Sequence, residues 1–233
     1  GVHEQDLIEE IALLAMEKGV HVTFATASDY FIESFYSRVP VEYLRRTSKI
    51  GLRLMDILDN TIAIERPKDP GIMEKVNPKS IGAVVEGNKP ISKKMDKRKV
   101  KWCYLGYPSK EMAEKLEVAY KLLEKFILDG ILIDHKKLLD RAVFLKKNLS
   151  GAKYVHIIDE FGTNLTLVLS PARKIMIADG LIGDDDIAHG DIGLNLPDGE
   201  IFTAPVETKG SGTLVAPKQL DRYTSKPIEN IKL

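Results

Sequence analysis

Apolar positions at helical spacing open the chain. Leu7, Ile8, Ile11, Leu14 and Ala15 share one stripe of a helix predicted over residues 4–18, and Gly19 ends it. Val20–Ala25 then alternates, which predicts a strand with His21 facing away from Val20 and Val22. Ser28 is placed to cap a short helix through Tyr36, and Pro40 suits the first turn of another that runs to about Leu58. Thr61–Glu65 reads as a second strand. Helical patterns follow over about 71–79 and 79–97, the latter weakened by Asn88-Lys89-Pro90. Val100–Leu105 is a third strand, and Gly106-Tyr107-Pro108 turns the chain. Ser109 then caps a long helix to about Leu128, and a further helix covers about 134–148.

Strand and helix alternate through this half. The economical packing is an α/β layer with a mostly parallel sheet and crossover helices on its faces. From Lys153 the period shortens. Tyr154–Asp159, Asn164–Leu169, Lys174–Ala178 and Ile201–Ala204 are short, β-rich runs. Turns at Phe161-Gly162, Ser170-Pro171 and Asp179-Gly180 separate them, the last a hairpin cue. Gly210-Ser211-Gly212 reads as a turn before a strand over 213–216. The change of period sets an expected boundary near residue 150, with an N-terminal α/β domain over 1–150 and a β-rich domain over 151–233.

Composition adds mainly exclusions. The 233 residues are 44% hydrophobic and 29% charged, with 34 Lys+Arg against 34 Asp+Glu. No global charge draws nucleic acid or anionic lipid to the protein. Lys93-Lys94 and Lys97-Arg98-Lys99 gather basic charge, but Asp96 interrupts them and a solvated helix face is expected. The single cysteine, Cys103, lies in an apolar strand and reads as a small buried side chain. With no signal peptide and no membrane-length apolar run, the expectation is a cytoplasmic protein without membrane or nucleic-acid partners.

The chemistry concentrates in Gly193-Leu-Asn-Leu-Pro-Asp-Gly-Glu-Ile-Phe-Thr-Ala-Pro205. Pro197, Asp198 and Gly199 are turn residues, and Glu200 is launched from the start of a strand. Alternation puts Glu200, Phe202 and Ala204 on one face. By itself this is a hairpin corner with a solvated Glu. A bound cation is the other way to hold a carboxylate beside an aromatic. His189-Gly190-Asp191 looks like a His-x-Asp metal pair but is read as a loop, and Asp184-Asp185-Asp186 as an exposed acidic turn, since calcium-loop spacing is missing. Asp159 and Glu160 point to opposite strand faces, which suits paired acid–base work poorly. The chain has no nucleophile elbow, His-Glu-x-x-His, P-loop or dinucleotide fingerprint.

The block Asn195–Pro205 resembles the signature of the thermophilic-type metallo-aminopeptidases (aminopeptidase T, aminopeptidase S and PepS type). Gly162-Thr163-Asn164-Leu165-Thr166 is similar to a second block of that family, in the right order. The resemblance implies a metal-dependent exopeptidase, cytoplasmic and homodimeric, that removes N-terminal residues, often apolar ones such as leucine, from peptides. It implies two divalent ions (Zn²⁺, Co²⁺ or Mn²⁺) that activate a water, with Glu200 as a metal ligand. The family's other ligands, a second Glu, two His and an Asp, and its catalytic Tyr follow well after that Glu. On this likeness the N-terminus reads as trimmed, the catalytic residues are expected beyond Leu233, and Ile228–Leu233 reads as the opening of a strand. One carboxylate does not hold two ions, so the chain as given is expected to bind metal weakly and hydrolyse peptides poorly. The alternative is a non-catalytic α/β scaffold or dimerisation fragment; weaker still is a small-molecule enzyme using a sheet-edge crevice.

Overall fold

The computed structural model describes residues 5–66 and 68–215. Their contacts form two compact units. The first comprises Gly1–Ile131 with Ile182–Pro197, and the second Leu132–Leu181 with the chain from Asp198 on.

The first unit is α/β. Helix α1 (Gln5–Glu17) follows the predicted stripe and buries Ala12. Residues 20–25 form no strand, because alternation makes a strand only where a neighbour completes its ladder. Helix α2 (Asp29–Arg38) starts as expected, with Ser28 Oγ accepting the Phe31 N–H. The helix expected from Pro40 to Leu58 is two, α3 (Val41–Leu44) and α4 (Lys49–Ile57). Ser48 Oγ accepts the Gly51 N–H at 3.0 Å and starts a new helix.

Strand β1 (Asn60–Glu65) leads through a single 3₁₀ turn, Ile72–Lys75, into α5 (Pro78–Arg98). This helix runs unbroken for 21 residues through Pro90, which removes only one N–H donor from its middle. Gly87 lets α5 meet α3 closely, since a Cβ there would lie 2.9 Å from the Leu44 carbonyl oxygen.

Strand β2 (Lys101–Gly106) is followed by α6 (Lys110–Lys115) and α7 (Tyr120–Ile131). Sequence pattern predicts one helix here. Glu117, at φ 57°, turns the chain and divides it. Two elements were not expected, α9 (Asp184–His189) and β6 (Gly193–Leu196); they are numbered after the second unit's α8 and β3–β5, which precede them in the chain. Strand β6 completes a wholly parallel sheet of order β1-β2-β6. Ala83, Val100, Leu105, Ala113 and Ile192 are buried in this unit.

Among its described residues the second unit holds one long helix and two small antiparallel sheets. Helix α8 (His135–Leu149) is capped by Asp134, whose Oδ1 accepts the Lys137 N–H. Strands β3 (Tyr154–Ile158), β4 (Asn164–Val168) and β8 (Gly210–Thr213) form one sheet in the order β3-β4-β8. Thus Gly210–Gly212, read as a turn, is strand, and Ala216 lies outside the described residues. Strands β5 (Met176–Ala178) and β7 (Glu200–Phe202) pair antiparallel as the other sheet.

Asp179-Gly180 does not close a hairpin. Asp179 Oδ1 accepts the Leu181 N–H, and Gly180 sits at φ 79°. The chain then leaves to build α9 and β6, and it returns at Glu200 to pair with β5. The α/β class expected from sequence is what forms. Among the described residues no helix is long and apolar enough to cross a membrane.

Candidate metal centre

Glu200 owes its position to the turn before it. The Leu196–Pro197 bond is cis. Gly130 in α7 makes room for this proline, since a Cβ there would fall 2.8 Å from Pro197 Cβ. Asp198 Oδ1 accepts the Gly199 N–H at 2.9 Å. Gly199 adopts φ 144°, a conformation that L side chains rarely take. A Cβ at Gly199 would also lie 3.3 Å from Leu138 Cδ1 of α8. The turn chemistry read from Pro197-Asp198-Gly199 is therefore real, and it delivers Glu200 as the first residue of β7.

Along β7 and beyond, Glu200, Phe202 and Ala204 are exposed while Ile201 and Thr203 are half-buried. The alternation predicted for this run is what forms. Glu200 stands opposite Ala178, at the start of the ladder with β5. The far end is fastened. Thr203 Oγ1 donates to the Lys174 carbonyl at 3.0 Å, and Arg173 donates to the Pro205 carbonyl and pairs with Glu207 at 2.6 Å.

An exposed carboxylate needs no cation to offset a burial cost. Among the described residues no group of three or more His, Cys, Asp or Glu could hold a metal ion. The donors present in this region thus do not by themselves fit a divalent centre, let alone a pair of ions. One imidazole packed beside the end of β5 was not singled out from sequence. His135, the first residue of α8, holds its Nδ1 2.7 Å from the Asp179 carbonyl oxygen, and its ring packs where a Cβ on Gly180 would be, 2.7 Å from Cε1. No sequence signal marks it, because the helix start that carries it meets β5 only in three dimensions.

The other acidic features resolve into local structure. Asp184, Asp185 and Asp186, expected as an exposed turn, are the first turn of α9, where the helix dipole favours negative charge. Asp186 Oδ2 accepts the Gly183 N–H at 2.8 Å. His189 ends that helix, its Nδ1 2.7 Å from the Asp185 carbonyl, and Gly190 at φ 82° closes it. The His-x-Asp resemblance there is a helix terminus. Asp159 Oδ1 accepts the N–H groups of Phe161 and Thr163, both at 2.9 Å, and so shapes the turn from β3 to β4.

The second sequence block has a structural role of the same kind. Thr163 is buried, and its Oγ1 accepts the Val215 N–H at 3.0 Å. At the carboxyl end of the parallel sheet, Tyr104 donates to Glu65 Oε2. Burial, and after it the Glu65 carboxylate, pushes the Tyr104 hydroxyl far above the usual tyrosine range. A cavity of about 400 Å³ is an open trough along α8 lined by Asp140, Arg141, Phe144 and Leu145, with no cluster of ligating groups.

A parallel sheet with helices in the first unit and small antiparallel sheets in the second make this an α/β protein. A family model described as thermophilic metalloprotease (M29) matches residues 1–233, and the chain belongs to that family. It is thereby a member of a peptidase family whose chemistry uses divalent metal. A search of curated proteins found no match.

Proposed function

We propose that the protein serves as a metal-dependent aminopeptidase, removing N-terminal, often apolar residues from peptides in the cytoplasm as a homodimer. The family match over residues 1–233 carries the peptidase reading. The exopeptidase preference, and the use of two ions of the Zn²⁺, Co²⁺ or Mn²⁺ kind, rest on the likeness of the Asn195–Pro205 block. Within this chain the residue proposed to reach a metal is Glu200. Its support is local: the turn fixes where its strand begins, and its carboxylate is exposed to any donor set that approaches. Most of the coordination of any ion must come from groups other than those described.

The test pairs metal binding with turnover. Equilibrium dialysis against Zn²⁺ or Co²⁺, and release of leucine from a chromogenic amide, are measured for the protein and for Glu200→Gln. The expected result is metal affinity weakened at least about tenfold, with activity falling alongside. Unchanged affinity and unchanged turnover in Glu200→Gln would remove Glu200 from the site. A second reading, a non-catalytic α/β scaffold, is favoured by the exposure of Glu200 and the lack of a ligand cluster among the described residues. Absence of metal-stimulated hydrolysis under every ion tried would favour it.

A further inference from the structure

Among the described residues strand β3 is an edge strand, paired only with β4 in the sheet β3-β4-β8. The bonds at its ends fix which backbone groups it offers outward. Leu169 N–H donates to the Lys153 carbonyl at 2.8 Å, and Asp159 N–H donates to the Thr163 carbonyl at 3.3 Å. Both pairs continue the register Tyr154↔Val168 to Ile158↔Asn164. Antiparallel pairs alternate between bonded and non-bonded, so Val155 and Ile157 bond inward to β4. The N–H and C=O groups of Tyr154, His156 and Ile158 therefore face the free edge. Among the described residues nothing accepts or donates to them.

Natural edges are blunted by Lys, Pro, bulges or a covering element. Among the described residues this one has none of these between Lys153 and Asp159. It reads Tyr-Val-His-Ile-Ile, with Tyr154 66%, Ile157 39% and Ile158 68% exposed. Such an edge is a template for another strand.

We propose that β3 pairs with β3 of a second copy of this chain, antiparallel and centred on His156. The sequence is self-complementary in that register. Tyr154 falls opposite the second copy's Ile158, Val155 opposite its Ile157, and His156 opposite its counterpart. The flanking charges match as well, with Lys153 opposite Asp159 at both ends. Phase agrees too: the outward-facing residues of one strand meet the outward-facing residues of the other. Three opposed pairs then exchange two hydrogen bonds each. Shifting the register by one residue would set outward groups against inward ones; shifting it by two would part Lys153 from Asp159. The two sheets merge into one six-stranded sheet about a two-fold axis, a closed, isologous contact. The flanking ion pairs are exposed and set register more than affinity. The inference gives a surface to the homodimer reading above and is independent of the metal site.

Sedimentation equilibrium of the protein tests the dimer, and variants at His156 test the surface. His156→Pro removes an outward N–H in each copy, and His156→Lys sets two cations face to face. Each is expected to weaken self-association about thirtyfold. Because Pro could disturb folding, a covalent readout stands beside them. In a Cys103→Ser background, His156→Cys is expected to form a disulfide-linked dimer on mild oxidation, while Lys137→Cys on exposed α8 is expected not to. A dimer that persists undiminished in His156→Lys, with no cross-link at His156→Cys, would overturn the β3 surface and leave the dimer standing. A monomer at every concentration would overturn both. Dimerisation unaffected by Glu200→Gln is expected whichever way the peptidase assay falls.

Discussion

Asp159 shows how far a single carboxylate's role can be read from sequence. Adjacent placement with Glu160 argues against paired acid–base work but leaves its actual role open. Its oxygen gathers the N–H groups of Phe161 and Thr163 into the turn that joins β3 to β4. Hydrogen bonding from Thr163 is the largest cause holding its pKa below the ordinary Asp value of 3.8. A carboxyl lowered in the folded state contributes its stability in full above the unfolded value and loses it as pH falls through the folded one. At neutral pH the turn is therefore at full strength. Below pH 3.8 the amides of Phe161 and Thr163 are expected to lose hydrogen-exchange protection progressively. Asp159→Asn keeps an acceptor but cannot titrate, and should flatten that dependence; an unchanged acid profile in this variant would assign the loss to another group. Glu200 is the contrasting case. Its turn, its strand and its face were all legible, because proline, glycine and alternation act locally. Which donors surround it was not, because ligands assemble from segments distant in sequence.

At the scale of elements, the sequence marked most helices and strands but misjudged several ends. Ser48 and Glu117 each divide a run whose apolar spacing is continuous, since a capping hydroxyl or one residue at positive φ overrides periodicity. Pro90 does the reverse and is carried inside α5. Strand β6 was missed for a reason visible at Gly193. A Cβ on that residue would lie 1.8 Å from Trp102 Cε2, so the tryptophan of β2 occupies the space over its neighbour's glycine. Read alone, Gly193 suggests a turn; beside Trp102 it is the site of close strand packing. Gly193→Ala is expected to displace the indole and to destabilise the first unit by about 1–3 kcal/mol. The chain has 1 tryptophan, so its fluorescence reports the change directly. An unaltered emission maximum together with an unaltered denaturation midpoint would show that the sheet yields without cost.

Over the whole molecule, burial is uneven. In the second unit only Ala142, Thr163, Leu165 and Gly180 are buried among the described residues, while Phe144, Leu145, Tyr154 and Ile158 stand exposed. The first unit buries Ala83 and Val100 at 1% exposure and has six paired positions between β1 and β2. Local opening is cheapest where few apolar contacts cover the backbone bonds. Amides of the three-residue ladder between β5 and β7 are therefore expected to exchange well before those of β2. Equal protection in the two sheets would mean that the β5–β7 ladder is covered by an assembly contact or opens only with the entire fold.

Sequence alone determined the α/β class, the turn that launches Glu200, the alternation along β7 and the family, because each depends on residues adjacent in the chain or on a pattern spread along it. Tertiary structure decided that β6 joins the parallel sheet, that Asp179-Gly180 is an exit and not a hairpin, that His135 packs beside it, and that Glu200 is exposed. These depend on which distant segments come to share a ladder or a surface. That choice is settled by packing and by the completion of backbone hydrogen bonds, neither of which any short stretch of residues encodes by itself.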